Sequence, residues 1–143
     1  PENPYTVVDM SPAYKGQLES ARRGVRLIGG AVLVQDELVA LGKETWVRWG
    51  MATHAHAEVA GNKATLREGD KAVVLEVLAP ASAEFTVLDM ENPPQPYDAK
   101  NPDTRMVAFE AAVEPLASQE LMVLIRPAAS EGPVLEIKPL SEW

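Results

Sequence analysis

Apolar and polar residues alternate in short runs along almost the whole chain, and this period of two constrains the fold most strongly. The runs are rich in β-branched residues and are separated by Gly, Asn, Asp and Pro, as is typical of strands joined by turns. No segment has the 3.6-residue periodicity of a convincing amphipathic helix. We therefore predict strands at residues 5–9, 21–28, 31–38, 44–53, 56–60, 63–67, 71–78, 84–89, 105–113, 119–127 and 134–140.

Several runs are apolar on both strand faces, among them "AVLV", "VVLEVL" and "LMVLI". A single sheet with one face in water would expose half of these side chains, so two sheets must pack face to face. Glycines between consecutive runs, such as Gly29 and Gly30, allow tight hairpins and hence antiparallel neighbours. We predict an all-β, two-layer antiparallel β-sandwich that forms a single domain over residues 1–143. The predicted core between its sheets consists of Val32, Val34, Trp49, Val74, Leu75, Val77, Leu124 and Ile125.

Composition excludes several classes of protein. The chain has no cysteine, which rules out disulfides, thiolate metal sites and a cysteine nucleophile. Its 13 Lys and Arg against 21 Asp and Glu give a net charge of −8, which argues against nucleic acid as a partner. No apolar run approaches the roughly 18 residues of a membrane span. The first ten residues lack the features of a signal peptide, and we expect the chain to be a piece of a longer precursor.

The two histidines of the chain stand close together in "MATHAHAEVAGN". If the strand that begins at residue 44 continues, His54, His56 and Glu58 share its polar face with Arg48, and Trp49 lies on the opposite face. Such a face could chelate zinc, but a lone His-x-His is more often a solvated strand face. We expect no bound metal and no cofactor.

Two further groups of residues allow both a structural and a functional interpretation. Arg22 and Arg26 lie on one face of a predicted strand and Arg23 on the other, where they could grip carboxylates or sulfates or form a solvated edge. Tryptophans suit sugar stacking, but Trp46 and Trp49 fall on opposite strand faces and cannot form one platform.

The loop "DMSPAY" follows the first predicted strand and carries Asp9, Ser11 and Tyr14. Loops at the rim of a rigid sandwich are common places for functional side chains. A tyrosine at this position could transfer a proton or simply cap the loop. By contrast, the segment from Asp89 to Thr104 carries four prolines and is predicted to be a long surface loop.

Taken in order, several segments resemble the C-terminal β-sandwich of heparinase II/III-type polysaccharide lyases. They are the Asp-x-x-x-Ala-Tyr loop, the "ARRGVRLIGGAVLVQDEL" strands, the hairpin "WVRWGMATHAHAEVAGNKATLREGDKAVVLEVLAP", and the closing "LIRP" and "PLSEW". The resemblance covers essentially the whole chain. It implies a lyase in which an α/α toroid precedes the sandwich and which cleaves uronic-acid polysaccharides, such as glycosaminoglycans, by β-elimination.

The same resemblance implies what this chain contributes. Family members place a tyrosine of the β-domain in the cleft, and Tyr14 matches it, so Tyr14 is our predicted catalytic residue. The family's main catalytic groups lie in the toroid and in a histidine motif that this chain does not contain, so we expect the isolated chain to be inactive. The full-length enzyme is expected to be periplasmic or secreted and to bind an acidic polysaccharide. The alternative is a stand-alone carbohydrate-binding or structural module without catalytic activity.

Overall fold

A computed structural model describes residues 3–92 and 95–143. Within these residues the chain forms ten β-strands and two short 3-10 helices. The 3-10 helices span Ser11–Tyr14 and Leu140–Glu142. The strands are β1 (Tyr5–Asp9), β2 (Leu18–Ile28), β3 (Ala31–Ala40), β4 (Thr45–Thr53), β5 (His56–Ala60), β6 (Lys63–Glu68), β7 (Lys71–Ala79), β8 (Thr86–Asp89), β9 (Arg105–Val113) and β10 (Ser118–Pro127).

The strands form two antiparallel sheets of unequal size. The large sheet has the order β1-β2-β3-β10-β7-β6-β5, and the small sheet has the order β4-β9-β8. Gly29 and Gly30 join β2 to β3 with φ angles of 54° and 77°, a conformation that side chains larger than glycine rarely adopt. The prediction of an all-β, two-layer antiparallel sandwich is confirmed.

Large side chains from both sheets form the core. Trp49 of β4 stacks on Phe109 of β9 with ring centroids 5.7 Å apart, and Phe85 meets both rings at their edges. Leu75, Val77 and Val123 approach this cluster from the large sheet and are almost fully buried. The cluster is therefore the apolar contact that holds the two sheets together.

The predicted core was only partly correct in its placement. Val34, Trp49, Leu75, Val77 and Leu124 are buried, whereas Val32, Val74 and Ile125 are half-buried. Leu124 and Val74 do not lie between the sheets, because their strand neighbours Val123 and Leu75 occupy the core and successive side chains point to opposite faces. Both therefore belong to the outer face of the large sheet.

The C-terminal segment, residues 128–143, covers this outer face. Gln35 donates from Nε2 to the carbonyl of Lys138 over 3.0 Å, and Glu37 accepts from the backbone N–H of Leu140 over 2.6 Å. Leu140 is buried against Gly24, where a Cβ atom would overlap it. The segment closes beside Tyr5, whose hydroxyl donates to the carbonyl of Trp143 over 2.6 Å.

The strand predicted at residues 134–140 is therefore wrong. These residues carry no strand, and the segment ends in the second 3-10 helix. Pro133 and Pro139 have no N–H to give to a ladder. Side chains of β3, rather than a strand ladder, bond the Lys138 carbonyl and the Leu140 N–H.

The run from residue 44 to Glu58 is also not one continuous strand. β4 ends at Thr53 in the small sheet, and β5 begins at His56 in the large sheet. Ala55 lies at the crossing, where its N–H donates to Thr53 Oγ1 and its carbonyl accepts from Arg105. The histidines are therefore not a continuation of the face that carries Arg48.

The long loop predicted before residue 104 connects β8 to β9, which pair in the small sheet. Its described residues are mostly exposed, and Met90 N donates to the carbonyl of Thr104 across its base over 3.1 Å. In the two described ranges, no helix is long and apolar enough to cross a bilayer.

The unequal sheets leave part of the large sheet's inner face open. The small sheet covers the half of β2 that holds Leu18 and Ala21, both of which belong to the core. Beyond it, Val8 and Leu27 are on the inner face but are 50% and 47% exposed. Arg23 lies at the boundary between the covered and open halves, and the candidate site is found there.

Candidate functional site

Tyr14 ends a short 3-10 helix at the rim of the sandwich. The helix is fixed by Asp9, whose Oδ1 accepts from the backbone N–H of Ser11 over 2.9 Å and from its hydroxyl over 2.5 Å. Ser11 Oγ in turn accepts from the N–H of Ala21 on β2 over 3.0 Å. This chain of bonds ties the loop to the sheet and leaves Tyr14 41% exposed.

The loop changes the acidity of Asp9. Hydrogen bonds from the Ser11 hydroxyl, then from its backbone N–H, hold the pKa of Asp9 below its ordinary value, and the charge of Arg22 acts in the same direction. The structure brings Asp9 and Ser11 together, and they support the loop. Only Tyr14 of this group faces the cleft described next.

Tyr14 borders a cleft of about 230 Å³ between the two sheets. The 3-10 helix and strands β2, β3, β4 and β10 all contribute to its walls. We call it the Tyr14 cleft, and its polar and aromatic walls include Tyr14, Gln17, Arg23, Asp36, Trp46 and Trp49.

An arginine–carboxylate pair forms the charged wall of the Tyr14 cleft. Arg23 Nε lies 2.6 Å from Asp36 Oδ1, and Arg23 Nη2 lies 2.8 Å from Asp36 Oδ2. Asp36 is only 2% exposed, so its charge would be costly without this partner. The hydrogen bonds to Asp36 raise the pKa of Arg23 above its ordinary value and outweigh its partial burial. The guanidinium is therefore permanently charged and fixed in orientation.

The three arginines of β2 divide between the faces as the sequence indicates. Arg23 points inward, whereas Arg22 and Arg26 lie on the outer face, where Arg22 approaches Glu37 at 3.7 Å and Arg26 lies over the Trp143 ring. A solvated edge is the wrong interpretation, because β2 is paired on both sides. Sequence reasoning missed Asp36. The signal for it is the polar run Gln35-Asp36-Glu37 in the middle of an otherwise apolar strand.

The tryptophans do not form a common platform. Trp46 is 65% exposed, and its Nε1 donates to Glu44 Oε1 over 3.0 Å. Trp49 is buried on the opposite face of β4, as the alternation predicts. Trp143 lies on the outer face of the large sheet, so Trp46 is the one tryptophan with an exposed ring at the Tyr14 cleft.

His54 and His56 lie away from the Tyr14 cleft. His54 is exposed at the crossing between the sheets, and His56 Nε2 lies 3.5 Å from Glu58 Oε1 on the exposed edge strand β5. Over residues 3–92 and 95–143, no cluster of three or more His, Cys, Asp or Glu could hold a metal ion. That no metal binds here stays a prediction.

Comparison with known proteins gives results at the level of structure. No protein-family model matches the chain, and no curated protein sequence matches it. Heparinase III aligns with 89% of this chain and 20% of its own length, with a TM-score of 0.66 and 12% identity. The heparan sulfate lyase HepC from Pedobacter heparinus aligns with 90% of this chain and 21% of its own, with a TM-score of 0.62 and 13% identity.

The chain has a β-sandwich fold found in heparinase III. The heparinase resemblance indicated by the sequence is thereby confirmed for the fold. The Slr1438 protein from Synechocystis sp. PCC 6803 is more distant, with a TM-score of 0.50 and 9% identity over 90% of this chain and 62% of its own. The chain spans about a fifth of the length of the two lyases.

The Tyr14 cleft of this heparinase-type sandwich offers a limited set of chemical groups. Tyr14 supplies a phenol that can donate or accept a proton, Arg23 supplies a fixed positive charge, and Trp46 supplies a flat apolar ring. Among the described residues that line the cleft there is no histidine. The described lining of the cleft therefore offers a phenol, a fixed cation and an aromatic ring, without a histidine as a second acid–base group.

Proposed function

We propose that this chain is the β-sandwich domain of a polysaccharide lyase that cleaves uronic-acid polysaccharides by β-elimination. The observation that carries the proposal is the structural similarity to heparinase III and to the heparan sulfate lyase HepC. The Tyr14 cleft supports it, because a phenol and a guanidinium are the groups that this reaction can use. A sulfated or unsulfated glycosaminoglycan is the substrate class that we infer.

The reaction requires three contributions. Donors neutralise the uronate carboxylate, and a base then removes the proton from C5 of the uronic acid. The electron pair of the C5–H bond forms the C4=C5 double bond, the bond from C4 to the glycosidic oxygen breaks, and an acid protonates that oxygen. We assign Tyr14 a place in this proton transfer and an α/α toroid in the same polypeptide the remaining groups. The isolated chain is accordingly expected to be inactive.

The charge of the chain supports assigning most of the substrate binding to the toroid. A domain with a net charge of −8 repels a polyanion at long range, so it is poorly suited to hold the substrate alone. We therefore expect the toroid to supply most of the binding surface. The substrate class also leads us to propose that the enzyme is periplasmic or secreted, where such polysaccharides occur.

The second candidate is a stand-alone carbohydrate-binding or structural module. The exposed ring of Trp46 at the rim of the Tyr14 cleft favours it, because aromatic rings stack on sugar faces. The reading frame upstream of Pro1 separates the two candidates. A helical region of several hundred residues favours the lyase, whereas tight binding of glycans by the isolated chain on an array favours the module.

The catalytic role of Tyr14 is tested by Tyr14→Phe in the full-length enzyme. This change keeps the ring and removes only the hydroxyl, so kcat should fall by about 10²-fold or more while the melting temperature stays the same. Activity is followed as the ultraviolet absorbance of the unsaturated uronate that β-elimination creates.

Tyr97→Phe is the matched control for this experiment. Tyr97 is 82% exposed in the loop between β8 and β9 and does not line the Tyr14 cleft, so its hydroxyl should not matter. Unchanged turnover of Tyr14→Phe on an acidic polysaccharide would refute a catalytic role for Tyr14. Absence of any elimination product from the wild-type enzyme would refute the lyase itself.

A further inference from the structure

Arg23 is paired with a buried carboxylate and is itself partly exposed. Its Nε and Nη2 groups are held by Asp36, which is buried, while 38% of its own side chain remains accessible. Within residues 3–92 and 95–143, no group accepts a hydrogen bond from Arg23 Nη1. The outer end of the guanidinium therefore offers free N–H donors in a fixed direction.

The groups around Arg23 leave its outer N–H donors free to bind an anionic ligand. The ionisable groups on the walls of the Tyr14 cleft are Tyr14, Arg23, Asp36 and Arg48. Asp36 has both carboxylate oxygens engaged with Arg23, and Arg48 at the rim is paired with Glu110 at 2.6 Å. Each cation of the cleft is thus paired with one carboxylate, so the cleft offers an anion the unused N–H donors of Arg23 rather than a net positive charge.

A further unused donor occurs in the same wall. Trp49 lines the Tyr14 cleft and is 5% exposed, and its Nε1 has no acceptor within the described residues. This buried N–H without a partner is unfavourable for the empty cleft. The accessible unused donors of the cleft are those of Arg23, and the carboxylate in its described lining, Asp36, is paired.

We propose that Arg23, oriented by Asp36, is an anion-binding residue that contacts an acidic substituent of the sugar in the Tyr14 cleft. The substituent is a carboxylate or a sulfate, since a guanidinium binds either with two parallel hydrogen bonds or with one. The choice of a sugar rests on the proposed function, whereas the anion-binding chemistry rests on the cleft itself. Arg23 then determines specificity for charged over neutral sugars.

The test uses the 143-residue chain and nuclear magnetic resonance titration. The probes are a glucuronate-containing disaccharide, its sulfated counterpart, inorganic sulfate, and a neutral disaccharide of the same size. The Arg23 side-chain N–H and the Tyr14 amide should shift with the charged probes, with dissociation constants in the millimolar range, roughly 1–20 mM. The neutral disaccharide should leave both signals in place.

The decisive variant removes the cation without leaving a buried charge. Arg23→Gln alone would leave the Asp36 carboxylate buried and unpaired, so the double variant Arg23→Gln with Asp36→Asn replaces both charges by amides that can bond to each other. Its affinity for the charged probes should fall about tenfold or more. Arg23→Lys, which retains the charge but not the fork, is the second variant and should weaken binding several-fold.

Arg22→Gln is the matched control. It removes the same charge from the neighbouring position of β2, but Arg22 lies on the outer face beside Glu37 and away from the Tyr14 cleft. Its affinity should equal that of the wild type, which separates local contact from a change in net charge.

Each result of the titration either supports the proposal or overturns it. Binding of both disaccharides identifies the carboxylate as sufficient, and binding of only the sulfated probes identifies sulfate. Either result supports the proposal if Arg23→Lys weakens the binding and the double variant, where it folds, weakens it further. Equal binding in Arg23→Lys and the wild type, equal binding of the neutral sugar, or no binding by the wild type would each overturn it. An active lyase with Arg23-independent binding would refute this inference alone, and Arg23-dependent binding without lyase activity would refute only the proposed function.

Discussion

Asp9 shows how one exposed side chain can determine where a functional group lies. Its carboxylate accepts both the N–H and the hydroxyl of Ser11, and the resulting turn carries Tyr14 to the cleft. Both bonds are stronger to the ionised carboxylate than to the neutral acid. The position of Tyr14 is therefore linked to the protonation of Asp9.

This linkage predicts a response to pH. The folded-state pKa of Asp9 is below the ordinary value of 3.8, so its contribution to stability is present above that pH and is lost as the pH falls through the folded pKa. Ser11→Ala should move the pKa of Asp9 up, toward 3.8, because the largest cause of the shift is removed. The measurement is a titration of the Asp9 carboxyl carbon by nuclear magnetic resonance.

Ser82→Ala is the control for this titration, since Ser82 is exposed in the loop after β7. It should leave the midpoint of Asp9 unchanged. A Ser11→Ala midpoint equal to that of the wild type would show that Ser11 does not hold the carboxylate in solution.

At the scale of single residues, alternation along a strand predicts the face of a side chain but not what covers that face. This is why the opposite orientations of Arg22 and Arg23, and of Trp46 and Trp49, followed from the sequence. The sequence did not predict the partner of Arg23, because Asp36 lies on another strand and the pairing of β2 with β3 in this register had to be known first. Tyr14 was found through its loop and the resemblance, and its catalytic role stays a prediction.

Among the elements, the C-terminal segment departs most from the sequence prediction. Leu135 and Ile137 alternate with Glu136 and Lys138 as in a strand, but the prolines on both sides remove backbone donors. The segment instead lies across the outer face of β3 and is held by Gln35 and Glu37. It buries the apolar residues of the outer face that a sandwich would otherwise leave in water.

A substitution of Leu124 tests whether the C-terminal segment covers the outer face of the large sheet. It is 5% exposed, pairs with Leu33 across β3 and β10, and lies close to Gly132 at the start of the C-terminal segment. Leu124→Ala should reduce the free energy of unfolding by about 2–5 kcal/mol, as large-to-small changes at buried sites do. Urea denaturation gives the value.

Leu116→Ala is the comparison for this measurement, because Leu116 is 78% exposed and should cost less than about 0.5 kcal/mol. A loss at Leu124 as small as that at Leu116 would show that the segment does not cover the outer face. The crossing at Ala55 illustrates the same limit of sequence reasoning, since the alternation continues through it while the chain changes sheets.

For the whole molecule, the sandwich was predictable because runs that are apolar on both faces need cover on both sides. The division into seven and three strands was not predictable. The large sheet is built by pairing β3 with β10 and β10 with β7, and these pairs join distant parts of the chain. Local turn signals specify hairpins and leave such pairings open. The Tyr14 cleft exists because of this inequality, and so its location could not be read from the sequence.

The contact between Tyr5 and Trp143 places the beginning of β1 next to the end of the C-terminal segment. The Tyr5 hydroxyl lies 2.6 Å from the Trp143 carbonyl, and the two rings meet edge to face with centroids 6.1 Å apart. A short linker could therefore join residues near Tyr5 to Trp143, and the chain could be opened at another position without changing how the strands pair.

Opening between Asp98 and Ala99, in the exposed loop after β8, should give a circular permutant that still unfolds cooperatively in thermal denaturation. Opening between Val34 and Gln35, in the middle of the large sheet, should abolish folding, and equal behaviour of the two permutants would contradict this. A permutant opened in this loop would be joined to another protein through residues that do not line the Tyr14 cleft.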